Sequence, residues 1–380
     1  MTITFYSNFL NHHQLSLCNE FINIIGLDNF KFVASQKIDY ERIEMGYEDM
    51  NVKYSFVIKA YESEAELMMA KELAKKSDVA IMGANSNQFC KIRMKVNKLT
   101  FRFSERFFKN GTWHRFIPTT AYTIYKNYTL YREKSLYVLC ASAYLAEDLA
   151  LLGFPKSKCF RWGYFPAMKF YEGPVMSLKS SDKIELLWVG RMIWWKHPED
   201  AVYTLDYLLK KGLCCHLTMI GEGKKRKEVE ALSRKLGIQE NILFKNFCSE
   251  QEVRRYMEYA NIYIFSSGRE EGWGAVLNEA MNSGCLVVAN EHAGSTPFLI
   301  QQGKNGLVYK GSHHDLMKCL DMIVEDKSII SKMGEQAYFS ICEIWNYRVA
   351  ANNFVKLSQA LMNNDSEKSI LFGPGSAYYY

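Results

Sequence analysis

No run in this chain of 380 residues approaches the roughly 18 consecutive apolar residues that a membrane-crossing helix requires. The opening MTITFYSNFLNHH lacks the basic start and long apolar core of a secretion signal. A soluble or peripheral protein is expected. The ten cysteines stand singly, apart from Cys214-Cys215, and mostly inside apolar runs. Without a C-x-x-C pair or a Cys/His metal spacing, neither a zinc site nor a disulfide framework is indicated, and free buried thiols fit a reducing cytoplasm. No repeat of roughly 20–50 residues is visible, which sets solenoids aside.

What is present describes a folded α/β protein. Hydrophobic content of 48% with 23% charged residues is that of a packed globular chain, and the length suits two or three domains. Aromatic residues reach 14% and concentrate before residue 175. The net charge of +6 is uneven: residues 1–170 hold 23 Lys and Arg against 16 Asp and Glu, leaving the remainder near neutral. A basic first half and a neutral second half suggest different partners.

In the first half, strand-like runs at 3–7, 30–34, 54–60, 79–83, 99–103 and 136–141 alternate with helical patterns, clearest at 15–25 and 63–76. Ser63 with Glu66 forms a capping-box start. A short helix at 145–152 stops at Gly153, and a strand-like 159–165 follows. This alternation predicts a parallel, doubly wound sheet in a domain of residues 1–170. Residues 171–183, YEGPVMSLKSSDK, lack periodicity and read as a linker. A second α/β set covers 184–342: strands at 184–189, 217–220, 242–247, 262–265 and 285–289, with helices at 198–211, 224–236, 250–259 and from about Ala275. A closing helical region occupies 343–363, and the tail 364–380 carries no fold signal.

The chemistry concentrates in Tyr263 to Asn290. A buried strand leads into the polar turn SSGREEGWG, then a helix bearing Val276, Leu277, Ala280 and Met281 on one face. Glu271 lies in the turn and Glu279 on the helix. The backbone amides at Gly274 and Ala275 begin that helix and suit a phosphate, while Gly272 and Gly274 allow close approach. Earlier, LLWVGRMIWWKHPED ends a strand at Gly190 and places Arg191 and Lys196 in the following turn, where two cations can clamp a diphosphate.

E-G-W-G-A-V-L-N-E-A-M resembles the E-x7-E signature of family 4 retaining glycosyltransferases, which have the GT-B fold of two Rossmann-like domains facing a central cleft. The resemblance extends through G-R-x-x-x-x-K at Gly190, Arg191 and Lys196, through the G-x-G turn of MIGEGK at Gly221, through ILFKNFC with Asn246 and Phe247, and through AGSTPFLI. It implies that Glu271 sits by the donor sugar and Glu279 holds the ribose. Arg191 and Lys196 would neutralise the departing diphosphate. Gly272, Trp273, Gly274 and Ala275 complete the expected donor site, with Asn246 and Phe247 at the base. Where the family often has an acidic residue this chain has Phe298, so no carboxylate role falls there. The closing helix, with Trp345, Phe354 and Leu357, resembles the family's return to the first domain.

The expected activity is retaining transfer of a sugar from a UDP- or GDP-linked donor to a carbohydrate or lipid-linked acceptor, in polysaccharide or glycoconjugate synthesis. No metal or other cofactor is expected. The alternatives are a sugar-nucleotide epimerase and a non-catalytic binding subunit of the same fold. For the acceptor, the loop after the first strand offers Asn11, His12 and His13. The basic and aromatic stretch 91–113 suits an anionic membrane surface, and no nucleic-acid motif accompanies it. A cytoplasmic protein, peripheral on the inner membrane face, is the corresponding expectation.

Overall fold

The computed structural model describes residues 1–39, 43, 48–180, 182–365 and 370–378. The chain forms two compact units, Met1–Ala167 with Asn346–Tyr380, and Met168–Trp345. Each is built on one parallel sheet.

The first unit holds β1 (Ile3–Ser7), β2 (Phe30–Ala34), β3 (Val57–Lys59), β4 (Val79–Met82), β5 (Thr100–Ser104), β6 (Leu136–Cys140) and β7 (Cys159–Arg161). Their spatial order is β3-β2-β1-β4-β5-β6-β7, parallel throughout. Parallel neighbours require crossovers, so helices cover both faces and the strands become continuous apolar runs. β1 and β4 are buried at every position. The Ser63 hydroxyl accepts the Glu66 N–H at 3.2 Å and starts the helix Glu64–Lys76. β3 and β7 are shorter than their apolar runs. At β7 the chain leaves the sheet at Trp162, whose ring is buried against Phe165 and Phe354. The last helix, Tyr347–Met362, belongs to this unit and seats Phe354 on Phe21 and Phe101, with ring centres 5.3 and 4.9 Å away.

The tail has a structural task that its composition conceals. Arg161 N–H donates to the Ser376 carbonyl, Gly375 N–H to Arg161, and Tyr378 N–H to Cys159. An outer strand with bare edge groups is a template for pairing with another chain, and the tail covers that edge of β7. Residues 366–369 and 379–380 of the tail, like Ser181 of the 171–183 stretch, lie outside the described residues.

The second unit holds β8 (Ile184–Val189), β9 (Cys215–Ile220), β10 (Ile242–Lys245), β11 (Ile262–Phe265), β12 (Leu286–Asn290) and β13 (Leu307–Tyr309), in the order β10-β9-β8-β11-β12-β13. Its core runs from Leu186 and Trp188 through Leu217, Ile264 and Val288 to Leu320. The stretch read as a linker is fastened to this unit. Val175 is buried, the Lys179 ammonium donates to the Met257 carbonyl at 2.8 Å, and the Asn261 amide donates to the Ser180 carbonyl.

Both sheets reverse their winding once, between β1 and β4 and between β8 and β11. In doubly wound sheets ligands bind beyond the carboxyl ends of strands at such a point. No helix among the described residues is long and apolar enough to cross a membrane.

The stretch 91–113 does not lie on the surface as a whole. β5 is an interior strand between β4 and β6, and Arg93, Arg102 and Arg106 are buried. Arg93 donates to the carbonyls of Ala74, Ser77, Asp78 and Leu99 and to the Thr100 hydroxyl, and burial pulls its guanidinium down to about 10. Removing it orphans these acceptors. Arg93→Met is expected to lower unfolding free energy by about 3 kcal/mol in a denaturant titration. Exposed Lys91→Met should stay within about 0.5 kcal/mol. Equal losses in the two variants would contradict the structural role of Arg93.

Candidate active site

The loops after β8 and β9 are stitched together by their backbones. Gly190 N–H donates to the Ile220 carbonyl at 3.0 Å, and Met192 N–H to that of Glu222 at 2.7 Å. Two glycines permit this approach. Gly221 and Gly223 have φ of +133° and +148°, and a Cβ on them would lie 2.0 Å from the Gly190 oxygen and 2.4 Å from that of Met192. The G-x-G turn therefore serves loop packing.

On the other side of the switch, the loop after β11 is tied to the loop after β8. The Trp188 indole N–H donates to the Ser266 hydroxyl at 2.9 Å, and that hydroxyl donates to the Lys196 carbonyl at 2.7 Å. Gly268 N–H donates to the Trp195 carbonyl. These bonds set the Lys196 ammonium on the Glu271 carboxylate, an ion pair with side chains only 14% and 17% exposed. Arg191 stays at the surface with its guanidinium 5.9 Å from the centre of the Trp195 ring. His197 follows in the left-handed region at φ +43°, 3.5 Å from Glu199. The bond to Glu199 raises the His197 pKa. Burial opposes the charge of Glu199, yet bonds from His197, the backbone and Lys225 hold it down to about 2.

Beyond Glu271, Gly274 turns the chain at φ +81°, where a Cβ would meet the Phe265 ring at 2.5 Å. Ala275 precedes the helix Val276–Asn282, whose first turn is closed by Leu277 N–H on the Gly274 carbonyl; the amides before it have no helical acceptor. Gly272 is buried beneath the turn. Trp273, expected at the donor site, has its ring in the interior of the unit. It is 1% exposed, its indole donates to the Asn278 side-chain oxygen at 2.9 Å, and it packs with Phe298 and Trp345. Phe298 stacks on Trp345 at 5.7 Å and 13°, which is how the position where the resemblance would place an acid is used here.

Glu279 sits on that helix with burial lifting its carboxyl to about 7, against the pull of Arg254. Arg254 donates to the Glu279 backbone carbonyl and the Ser283 hydroxyl, both at 3.0 Å, and fixes the helix end. The Tyr263 hydroxyl, bonded to the Val189 carbonyl, is held protonated by burial and then by the charges of Glu279 and, less strongly, Glu271. The Tyr263 hydroxyl therefore lies at the end of β8. Asn246 and Phe247 follow β10 and are exposed, Phe247 at 70%. The Lys245 carbonyl just before them accepts Gly221 N–H, so this pair lies on the same carboxyl edge.

The first unit has a cavity of about 800 Å³ at its own switch, reached by Ser7, Asn8, Asn11, Gly83, Asn85, Arg102 and Tyr164 and walled by the helix Pro118–Asn127. Of the three acceptor candidates, only Asn11 lines it. His12 and His13 pack their rings 3.8 Å apart at the start of the helix His12–Ile25, and His13 borders a small void beside Tyr164. Gln14, at the end of the same loop, and Arg102, read only as part of the basic stretch, also line the larger cavity. Arg102 did carry a signal, since a cation alternating with Phe101 and Phe103 inside a strand run must be accommodated within the fold. For a membrane surface, the 91–113 stretch leaves Lys91, Lys95 and Trp113 outermost.

Two parallel-sheet Rossmann-like domains in one chain constitute the GT-B class of fold. Comparison with known proteins agrees. Residues 175–339 match the family model of glycosyl transferases group 1. An uncharacterized glycosyltransferase of Methanocaldococcus jannaschii is 27% identical over 191 residues, 49% of this chain and 47% of that protein; the chain thus spans about half the length of this curated relative. Among solved structures, Anabaena HepE in complex with UDP has a TM-score of 0.67 at 14% identity, covering 95% of this chain and 100% of the other. The lipopolysaccharide outer core galactosyltransferase WaaB, apo form, gives 0.68 at 17%, covering 96% and 99%.

The glycine requirement is testable without any ligand. Gly221→Ala, with its 2.0 Å clash, is expected to cost at least about 2 kcal/mol. Gly237→Ala at φ +73°, with open space around it, should cost about 1 kcal/mol. Denaturant midpoints measure both, and a smaller loss at Gly221 would refute the packing role.

Proposed function

We propose that the protein is a retaining, metal-independent glycosyltransferase of family 4 that uses a nucleotide-diphosphate sugar. The observation that carries this reading is the Lys196–Glu271 pair straddling the β8/β11 switch, with Arg191 on the same loop as Lys196 and Glu279 on the helix that follows Glu271. The match of residues 175–339 to glycosyl transferases group 1 and the UDP bound by HepE support it.

In this reading Arg191 and Lys196 take the diphosphate, joined by the amides at Gly274 and Ala275. Entry of the diphosphate draws the Lys196 ammonium toward phosphate and releases Glu271 toward the sugar hydroxyls. Glu279 accepts the ribose diol. The bond from the anomeric carbon to the diphosphate breaks and a bond to the acceptor oxygen forms on the same face. The acceptor proton leaves with the nucleoside diphosphate. Fixed cations stabilise the charge that develops on the leaving group, so the chain's own residues supply what a metal would otherwise provide. The acceptor is a carbohydrate or lipid-linked saccharide, and the base and sugar are to be read from the donor that binds.

A panel of UDP- and GDP-sugars in a thermal-shift assay should single out one donor. Arg191→Ala should weaken that donor about 10- to 100-fold, the worth of a charged hydrogen bond. Released nucleoside diphosphate, dependent on acceptor and unaffected by EDTA, would mark transfer, whereas isomerised donor without acceptor would mark an epimerase. Full activity in Glu271→Ala would sink the role given to that residue.

The raised carboxyl of Glu279 adds a pH dependence. With a pKa of about 7, the carboxylate that accepts the diol is nearly complete by about pH 8, half formed at about pH 7 and lost as pH falls further. Donor affinity at pH 6 should be about tenfold weaker than at pH 8. Titration calorimetry on Glu279→Gln should show weaker binding with that slope gone; an unchanged slope would remove Glu279 from the site.

A further inference from the structure

The cavity of the first unit is polar, and one of its cations is not neutralised by the protein. Arg102 lies on β5, 6% exposed, and lines the cavity. Its Nη2 donates to the Asn87 side-chain oxygen at 3.0 Å, and its guanidinium lies 4.8 Å from the centre of the Tyr128 ring. Its buried Nε has no hydrogen-bond partner, and Arg102 makes no ion pair among the described residues.

The neighbouring charges are matched. Arg106 faces Asp148 at 3.7 Å, and Lys109 faces Glu105 at 2.7 Å. Glu105 also accepts the Tyr164 hydroxyl at 3.2 Å. The Asn87 amide, the Tyr128 side chain and the Cys90 thiol carry no formal opposite charge and offset only part of the cost of burying a cation. A guanidinium with open donors on the wall of a ligand-sized cavity suits an oxyanion, which it grips through two parallel N–H groups. On the same wall Gln14, also 6% exposed, has a side-chain carbonyl without a partner. That oxygen suits a sugar hydroxyl.

We propose that this cavity receives an acidic saccharide, one carrying a carboxylate or a phosphate, with Arg102 on the anionic group and Gln14 on a hydroxyl. Arg102 is then the residue that selects the acceptor. Naming the ligand an acceptor rests on the glycosyltransferase reading; its binding does not.

The test is direct binding to the full chain by NMR titration or calorimetry. The probes are glucuronate, glucose 6-phosphate, inorganic phosphate and glucose. At least one of the two acidic sugars is expected to bind ten times or more tightly than glucose, and the tighter of the two identifies the anionic group. Arg102→Gln should lose at least tenfold for the acidic sugar while UDP binding in the second unit stays unchanged. If Arg102→Gln fails to melt cooperatively, Arg102→Lys replaces it, keeping the charge and losing the two-pronged donor, with at least a threefold loss expected. Equal binding of glucose and the acids overturns the proposal, as does unchanged acid affinity in a folded variant. Failure of every nucleotide to bind, with acidic sugars still bound, would fault the donor reading and leave this one standing.

Discussion

A single hydroxyl decides how the second unit presents its charges. Ser266 accepts from the Trp188 indole and donates to the Lys196 carbonyl, using its proton and one lone pair on two strands' worth of loop. Such a bond contributes only about 1 kcal/mol net, but here it fixes which loops adjoin. Because the loops after β8 and β11 are held together, the Lys196 ammonium falls on Glu271. A mostly buried Lys–Glu pair gains little over the desolvation of its two ions. It is a weak stabiliser for that reason, and a responsive one. In the function proposed, exchanging the carboxylate for a diphosphate would keep the ammonium paired, so the contact would rearrange at modest cost.

The turn that carries Glu271 is braced from behind by an aromatic group. Trp273, Phe298 and Trp345 pack together beneath it, and Ser295 ties the Trp273 carbonyl at 2.5 Å. Gly274 can turn against the Phe265 ring only because it has no side chain. Rigid support of this kind holds a charged loop in one geometry before any ligand arrives, which is the condition for electrostatic stabilisation of a leaving group. The indole of Trp273 contributes stiffness to the site from outside it.

The fold was legible because parallel strands are buried on both faces and declare themselves as apolar runs. β8 and β11 coincide with theirs to the residue. The helix Pro118–Asn127 was not legible. Its Thr119, Thr120, Thr123 and Ile124 are β-branched and lower helix propensity, and packing decides in its place. In the candidate site, Glu271 and Glu279 could be singled out because their spacing is local to one turn and one helix. The packing of Trp273 was hidden because its neighbours Phe298 and Trp345 are distant in sequence. Arg102 and Gln14 went unassigned for the same reason, since what makes them notable is which partners they lack in three dimensions.

The basic first half shows how far net charge can be carried as an argument. Its excess of cations was read as a surface, yet three of its arginines are interior, and their roles separate by counting donors. A guanidinium has five N–H groups. Arg93 makes five bonds to four carbonyls and a hydroxyl, so it is saturated and structural, closing the end of the helix Glu64–Lys76 onto β5. Arg106 shares the interior with Asp148, a balanced pair that also anchors the Phe107 and Phe108 amides through the carboxylate. Arg102, nine residues from Arg93 in the same stretch of chain, has an amide oxygen and a ring face and still keeps a buried donor open. Composition cannot distinguish these three, and burial alone cannot either. The partner set does: oxygens saturate Arg93, a carboxylate faces Arg106, and Arg102, on the cavity wall, has neither among the described residues.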